Sequence, residues 1–386
     1  MRYRDPDASS VLHCRGRITL IVYRFQCIFS IMGRHFQTLI WRKSLDISDS
    51  PSLIESIMFR KEHIKSPKGR LTIDTQTAYA VALFMDLMPE QFRRRVADTL
   101  KKKIEDNNYH LKTGFVGTPY LCRVLYENGY NDLAFRLLMN EDFPSWLYEV
   151  KMGATTIWER WNSLLPDGKF GELGMNSLNH YAYGSIVEWM YRNMCGLNPL
   201  EEHPGFRKIR LAPQPNGLLQ SAKAAVETAV GRYESSWRIE ENGLNYDFLI
   251  PFNASAELIL PDALLEGVAV NGQAIVSTGV SAVQEGNTVK AVLPAGRYTI
   301  HYAPTKEYII TFSTRNSILQ LMAHPKAKEV LNKHIPQVAA QVAGSGLLMT
   351  VGTDPLREMT QNPFVSIDEE TLDKIDNDLK GLKGWH

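Results

Sequence analysis

The stretch Gly153 to Trp161, reading GATTIWERW, sets one carboxylate, Glu159, between two indoles, Trp158 and Trp161, and next to the guanidinium of Arg160. About twenty residues later comes Asn179-His180-Tyr181-Ala182-Tyr183-Gly184, an imidazole in an aromatic-rich run. Aromatic faces, one carboxylate and one imidazole are what a pocket needs to hold a sugar ring and direct a water against it. Plainer readings stand beside this one. Glu159 and Arg160 have the composition of a structural ion pair, a single helical histidine also serves a core, and buried indoles usually pack rather than bind. Asp167 and Glu172, in the glycine-containing loop after the motif, read as solvated loop carboxylates.

These side chains must be positioned by the elements around them. Asp74-Thr75 can cap a helix running through Ala78, Val81, Leu83 and Phe84 to Leu87, with Asp74 as the N-cap and Pro89 as the stop. A second helix, Glu90 to Asp106, carries Phe92, Val96, Leu100 and Ile104 on one face; its basic run Arg93 to Arg95 and Lys101 to Lys103 reads as a solvated outer face. Gly114-Phe115-Val116-Gly117 is a loop. Thr118-Pro119 and Asn131-Asp132 start further helices, Pro144 to Lys151 makes another, and Asn176 to Cys195 reads as one long helix closed by Gly196. An apolar stripe beginning at Leu53 and ending at Ser66-Pro67-Lys68-Gly69 precedes them. Short loops between such helices suggest an antiparallel array of the bundle or α/α toroid kind.

After Pro204 the period changes from helical to alternating. Phe206 to Leu211, Ala222 to Glu227, Gly231 to Glu240, Leu244 to Ile250, Ala256 to Leu260, Gly267 to Val270, Thr288 to Leu293 and Gly296 to Tyr302 read as short strands. Asn242-Gly243, Asn271-Gly272 and several prolines separate them, as in a β-sandwich. Helical patterning returns in Ser317 to Met322, Pro325 to Lys333 and Ser366 to Lys380, split by a loop over Gly344 to Gly352.

The bulk composition excludes more than it selects. With 386 residues the chain exceeds one ordinary core, and 44% hydrophobic against 22% charged residues describes a globular protein. Its 43 Lys and Arg balance 42 Asp and Glu, which gives no electrostatic signature for nucleic acid or an anionic membrane. Cys14, Cys27, Cys122 and Cys195 are too scattered for a zinc site or a disulfide framework, and no cofactor motif is present. Residues 1–43 hold eight Lys or Arg against two Asp, and their apolar run, Ile18 to Met32, is broken by Arg24 and Gln26. That run fits neither a signal peptide nor a membrane span. The lack of a signal peptide favours the cytoplasm, and residues 1–50 read as an atypical basic extension.

Five pieces in order carry a resemblance: Gly69-Arg70-Leu71-Thr72 with Asp74 to Tyr79, GATTIWERW, Ser177 to Gly184, Pro204-Gly205-Phe206, and Ile209 to Pro215. Together they resemble the bacterial α-L-rhamnosidases of glycoside hydrolase family 78. The resemblance implies a partial (α/α)6 toroid followed by an antiparallel β-sandwich, with a short helical tail. On this reading residues 51–204 are the C-terminal half of the barrel, 205–305 the β-sandwich domain and 306–386 the tail, which is similar to short extensions on other bacterial glycosidases. It also implies a rhamnose-containing oligosaccharide or glycoside as partner, no cofactor, and cleavage with inversion. Inversion needs two carboxyl groups about 6.5–9.5 Å apart. Matched residue by residue, Glu159 is the general base that activates water, His180 contacts the rhamnose, and Trp158 lines or braces the pocket. The general acid of the family lies in a segment rich in Asp and Arg, and no such segment precedes Glu159. A six-fold toroid needs six helix pairs, and only about half of them can be read between residues 53 and 196. The expectation is therefore a rhamnosidase fragment, weak or inactive alone, whose uncovered barrel helices self-associate. The alternative is a non-catalytic carbohydrate-binding remnant.

Overall fold

The computed structural model describes residues 64, 70–171, 174–308, 310–344, 355–361 and 367–384. The basic extension, the stripe from Leu53 with most of its closing turn, most of the loop after Gly344, and Glu172 lie outside them. The chain divides into two compact units. The first holds the helices that precede residue 195 and most of the sheet. The second holds Pro215–Gln220, Ile239–Glu241 and the segment from Pro304.

In the first unit, α1 (Gln76–Phe84) packs against α2 (Glu90–Glu105) and α3 (Thr118–Glu127), α3 against α4 (Asn131–Met139), and α4 against α5 (Trp146–Lys151). Thr75, not Asp74, caps α1: its hydroxyl accepts from the Ala78 N–H at 3.1 Å. The Asp74 carboxylate instead takes the Lys103 ammonium at 2.9 Å and the Tyr79 hydroxyl at 2.8 Å, and these two bonds hold its pKa below the usual range. Val96, Leu100 and Ile104 of α2 are buried as their spacing requires. The basic face of α2 is laced with carboxylates: Arg94 with Asp98, Lys101 with Glu105, and Lys102 with Asp106.

The long helix expected over Asn176 to Cys195 is only partly formed. Helical structure begins at Ala182 and passes through a 3₁₀ turn (Ala182–Ser185), an α turn (Ile186–Trp189) and a π turn (Met190–Met194), together α6. Residues 176–181 stay irregular because their backbone groups bond sideways to the GATTIWERW segment. Gly196 then turns the chain from α6 into the sheet at φ +73°, where a Cβ would lie 2.1 Å from the Pro213 nitrogen. No L residue with a side chain fits that crossing.

The sheet comprises β1 (Leu197–Pro199), β2 (Lys208–Leu211), β3 (Ser221–Thr228), β4 (Gly231–Glu240), β5 (Gly243–Leu260), β6 (Ala269–Val270), β7 (Gln273–Ala274), β8 (Ser281–Glu285) and β9 (Thr288–Tyr302). Its central order is β1-β2-β5-β9-β6-β7, with β4 on β5, β3 on β4 and β8 on β9. Pairing is antiparallel in the recorded registers except between β2 and β5, which run parallel from Lys208 beside Ser255 to Leu211 beside Leu258. Alternate residues of β5 and β9, among them Tyr246, Phe248, Leu258, Leu260, Val289, Leu293 and Ile300, are buried.

In the second unit, β10 (Ile310–Thr311) pairs with β11 (Lys383–Gly384) beside α7 (Ile318–Ala323), α8 (Pro325–His334), α9 (Pro336–Gly344), a 3₁₀ turn (Leu356–Gln361) and α10 (Glu369–Leu379). Ser317 and Gln320 close a capping box on α7, and Asp368 caps α10. Phe312, Ile318, Leu321, Leu331, Leu356, Leu372, Ile375 and Leu379 form a core of its own. Asp376 ties the unit together by accepting from both the backbone N–H and the hydroxyl of Thr314, the latter at 2.9 Å, and from Arg357 at 3.1 Å. Thr314 is fully buried. Asp376→Ala is therefore expected to cost this unit about 2 kcal/mol, the loss of charge-assisted bonds to a buried group. Faster amide exchange across residues 310–316 would register it, and unchanged exchange there would refute it.

Candidate functional site

The site is assembled by two irregular segments laid side by side. The Glu159 N–H donates to the Ser177 carbonyl at 2.8 Å, and the His180 N–H donates to the Ile157 carbonyl at 2.8 Å. The Thr156 hydroxyl bonds the Leu178 carbonyl. This lateral pairing carries Glu159 and His180 into one local structure despite 21 intervening steps of chain. The Glu159 carboxylate is part-exposed. Its Oε2 accepts from the Ser177 N–H at 2.7 Å, and Oε1 has no protein partner among the described residues. Arg160, the neighbour that suggested an ion pair, sends its guanidinium to the carbonyls of Met175 at 2.9 Å and Gly174 at 3.3 Å.

His180 is oriented from both faces. Its ring stacks on Phe115 with centroids 4.6 Å apart and on Tyr181 at 4.9 Å. The Ala182 N–H donates to Nδ1 at 3.3 Å, so the neutral ring carries its proton on Nε2, a donor suited to a hydroxyl. Beneath lies a wall of rings: Tyr183 stacks on Trp161 at 3.8 Å, Trp161 meets Trp146 edge-on at 5.3 Å, and the Trp146 indole donates to the Tyr183 carbonyl at 2.9 Å. Trp158 is 2% exposed, and its backbone N–H points at the Glu149 carboxyl from 3.5 Å. Burial pushes the Tyr183 phenol up to about 12, with Glu149 and Glu159 adding to the rise and Arg160 opposing it.

Two residues of the arrangement were not singled out by the sequence reading. Phe115, from the loop between α2 and α3, is 40% exposed and supplies the outer ring of the His180 stack. Its signal was an aromatic residue held in a glycine-flanked loop. Glu149, on α5, is 3% exposed, and burial drives its carboxyl far above the usual range, against the pull of the Trp158 N–H. A lone acid within Trp146-Leu147-Tyr148-Glu149-Val150 was the signal for that one. Asp167 sits in a solvated loop with its carboxylate on Lys169.

The buried Glu149 carboxyl couples folding to pH. The folded chain holds a proton that the unfolded glutamate releases in its ordinary range, so the contribution is complete at low pH and lost as pH rises towards the folded value. Within that window stability is expected to fall by up to about 1.4 kcal/mol per pH unit. Urea midpoints measured from pH 4 to pH 8 should show the decline, and Glu149→Gln should flatten it; equal slopes in the two proteins would refute the assignment. Among the described residues no three His, Cys, Asp or Glu side chains group as metal ligands, and no helix is long and apolar enough to cross a membrane.

Residues 54–194 match the bacterial α-L-rhamnosidase six-hairpin glycosidase domain, and residues 196–274 match the bacterial α-L-rhamnosidase C-terminal domain. An α-L-rhamnosidase of Formosa agariphila is 42% identical over 215 residues, covering 56% of this chain and 23% of that protein. One of Streptomyces avermitilis is 43% identical over 193 residues, covering 50% of this chain and 18% of that one. The crystal structure of the Streptomyces avermitilis α-L-rhamnosidase complexed with L-rhamnose aligns with TM-score 0.59 and 36% identity, over 64% of this chain and 23% of the other. The α-L-rhamnosidase structure from Dictyoglomus thermophilum aligns with TM-score 0.57 and 30% identity, over 64% of this chain and 28% of that chain. The chain thus spans about a quarter of the length of the relatives it matches. Residues 54–194 belong to the six-hairpin glycosidase domain of the bacterial α-L-rhamnosidase family, followed directly in residues 196–274 by the C-terminal domain of that family.

Proposed function

We propose that the chain binds a terminal α-L-rhamnosyl residue of an oligosaccharide or glycoside and that Glu159 directs water at its anomeric carbon, with inversion. The observation that carries this reading is the pairing of segments 156–159 and 177–180. It presents a part-exposed carboxylate with one oxygen fixed on the Ser177 N–H and the other without a protein partner among the described residues, in the same local structure as an oriented imidazole. A fixed carboxylate is what general-base catalysis requires, and the ring stack of Phe115 and His180 suits the apolar face of a deoxy sugar. The leaving-group acid is assigned to no residue of this chain, so glycosides with poor leaving groups turn over weakly or not at all with the chain alone.

A 2,4-dinitrophenyl α-L-rhamnoside separates water activation from leaving-group protonation, because its phenolate departs without a proton. Release of dinitrophenolate by the purified chain, with a β-configured sugar as first product, supports the proposal. A second reading, a carbohydrate-binding module without catalysis, draws on the exposed rings of Phe115 and Tyr181 around His180. Rhamnose binding by calorimetry with no dinitrophenolate release would favour that reading. His180→Ala is expected to weaken binding about 10-fold in either case, the worth of one lost hydrogen bond.

A further inference from the structure

Glu149 is buried where a leucine or methionine would pack, and burying a carboxyl without good partners is costly. Its side-chain contact gives a reason for a polar group there, and its main-chain carbonyl adds a second hold on the same turn. The Ala154 N–H donates to the Glu149 carbonyl at 3.0 Å, and the Trp158 N–H points at side-chain Oε2 from 3.5 Å. One residue therefore holds both the start and the end of the turn that delivers Glu159. The next amide along, that of Glu159, donates the other way, to Ser177. The backbone at 158–159 is thus gripped between α5 on one side and segment 177–180 on the other. Oε1 of Glu149 has no hydrogen-bond partner among the described residues, so the side chain is retained at a cost that a packing role alone would not require.

A buried acid close to Glu159 in sequence and in the fold invites assignment as the missing proton donor. Its 3% exposure argues against that, since a general acid must reach the glycosidic oxygen.

We propose instead that Glu149 is a positioning residue of the sugar site, bracing the backbone of Trp158 and so fixing the direction in which Glu159 and the 177–180 segment face the sugar. This rests on the reading of Glu159 given above. Burial keeps the side chain protonated and uncharged, which lets it stand beside the aromatic wall without an ion-pair partner.

The test compares Glu149→Leu, which fills the volume but has no acceptor, with Glu149→Gln, which keeps one. A residue that only packs predicts that leucine is as good as wild type or better. Positioning predicts that Glu149→Leu unfolds no earlier than wild type, yet speeds amide exchange in peptides covering 156–161 and 177–181 by about 10-fold, the equivalent of one hydrogen bond. Glu149→Gln should restore exchange to near the wild-type rate. L-rhamnose affinity should follow the same order. Unchanged exchange in Glu149→Leu, or a glutamine variant no better than leucine, overturns the proposal. Glu149→Met, unbranched and of similar length, takes the apolar arm where the leucine variant does not fold. A wild-type chain that fails to bind L-rhamnose overturns the sugar-site reading alone, since the exchange comparison decides the positioning role without any sugar.

Discussion

Glu159→Gln is expected to lower the turnover of 2,4-dinitrophenyl α-L-rhamnoside by about 10²- to 10⁴-fold, the usual worth of a positioned general base. The substitution is close to isosteric, and the glutamine carbonyl can still accept the Ser177 N–H that fixes Oε2 at 2.7 Å. What disappears is the capacity to take a proton from water. An interaction made only in the transition state shows in kcat, so KM should stay near its original value. His180→Ala should do the reverse, raising KM with a smaller effect on kcat, because its Nε2–H is offered to a sugar hydroxyl throughout the reaction. Steady-state kinetics of the two variants side by side distinguish the roles. A glutamine variant with undiminished kcat would remove Glu159 from the chemistry.

The local signals that made the helices legible were caps and stops. Thr118-Pro119 opens α3 and Gly196 ends α6 as read; Asn131 opens α4 without a capping bond from its side chain, and α5, read from Pro144, starts at Trp146 with Ser145 as its cap. The failure over 176–181 is equally physical. Nothing in Asn176-Ser177-Leu178-Asn179-His180 disfavours a helix strongly, and its conformation is decided by bonds to residues about twenty positions upstream. The strands show the same limit. The gap between Ile250 and Ala256 and the turn signal at Pro294 read as breaks that split two long strands into four. In the fold they lie close together in the β5–β9 ladder, where the register shifts between Ile250 and Ser255 and Ser255 stands beside Pro294. Two such breaks that face each other make one bulge in a continuous ladder, and only the pairing reveals it.

The candidate site divides along a similar line. Glu159 and His180 are legible as candidates because their motifs are distinctive. Phe115 and Glu149 act through contacts that no spacing rule anticipates: a ring stacked across loops, and a carboxyl placed under a backbone amide nine residues later.

Trp237→Ala is expected to destabilise the first unit by about 3–5 kcal/mol, the range for truncating a buried indole. Trp237 is 2% exposed, and it completes a row of three donors on one face of β4. Tyr233 donates to the Phe206 carbonyl at 2.6 Å, Ser235 to Cys195 at 2.5 Å and Trp237 to Met194 at 2.7 Å. The last two carbonyls belong to the end of α6, where a helix leaves acceptors without intrahelical partners. The sheet therefore caps the segment that follows His180, and the joint between helices and sheet is made by side chains two residues apart. Trp237→Phe separates volume from hydrogen bonding. It should cost only about 1 kcal/mol, because the Gln214 N–H still reaches the Met194 carbonyl at 3.4 Å. Urea unfolding followed by tryptophan fluorescence and far-UV circular dichroism supplies both numbers. An alanine variant within 1 kcal/mol of wild type, on the order of an ordinary surface change, would mean that the sheet is dispensable to the helices. A phenylalanine variant as damaged as alanine would place the worth of Trp237 in its hydrogen bond to α6 rather than in the volume it fills.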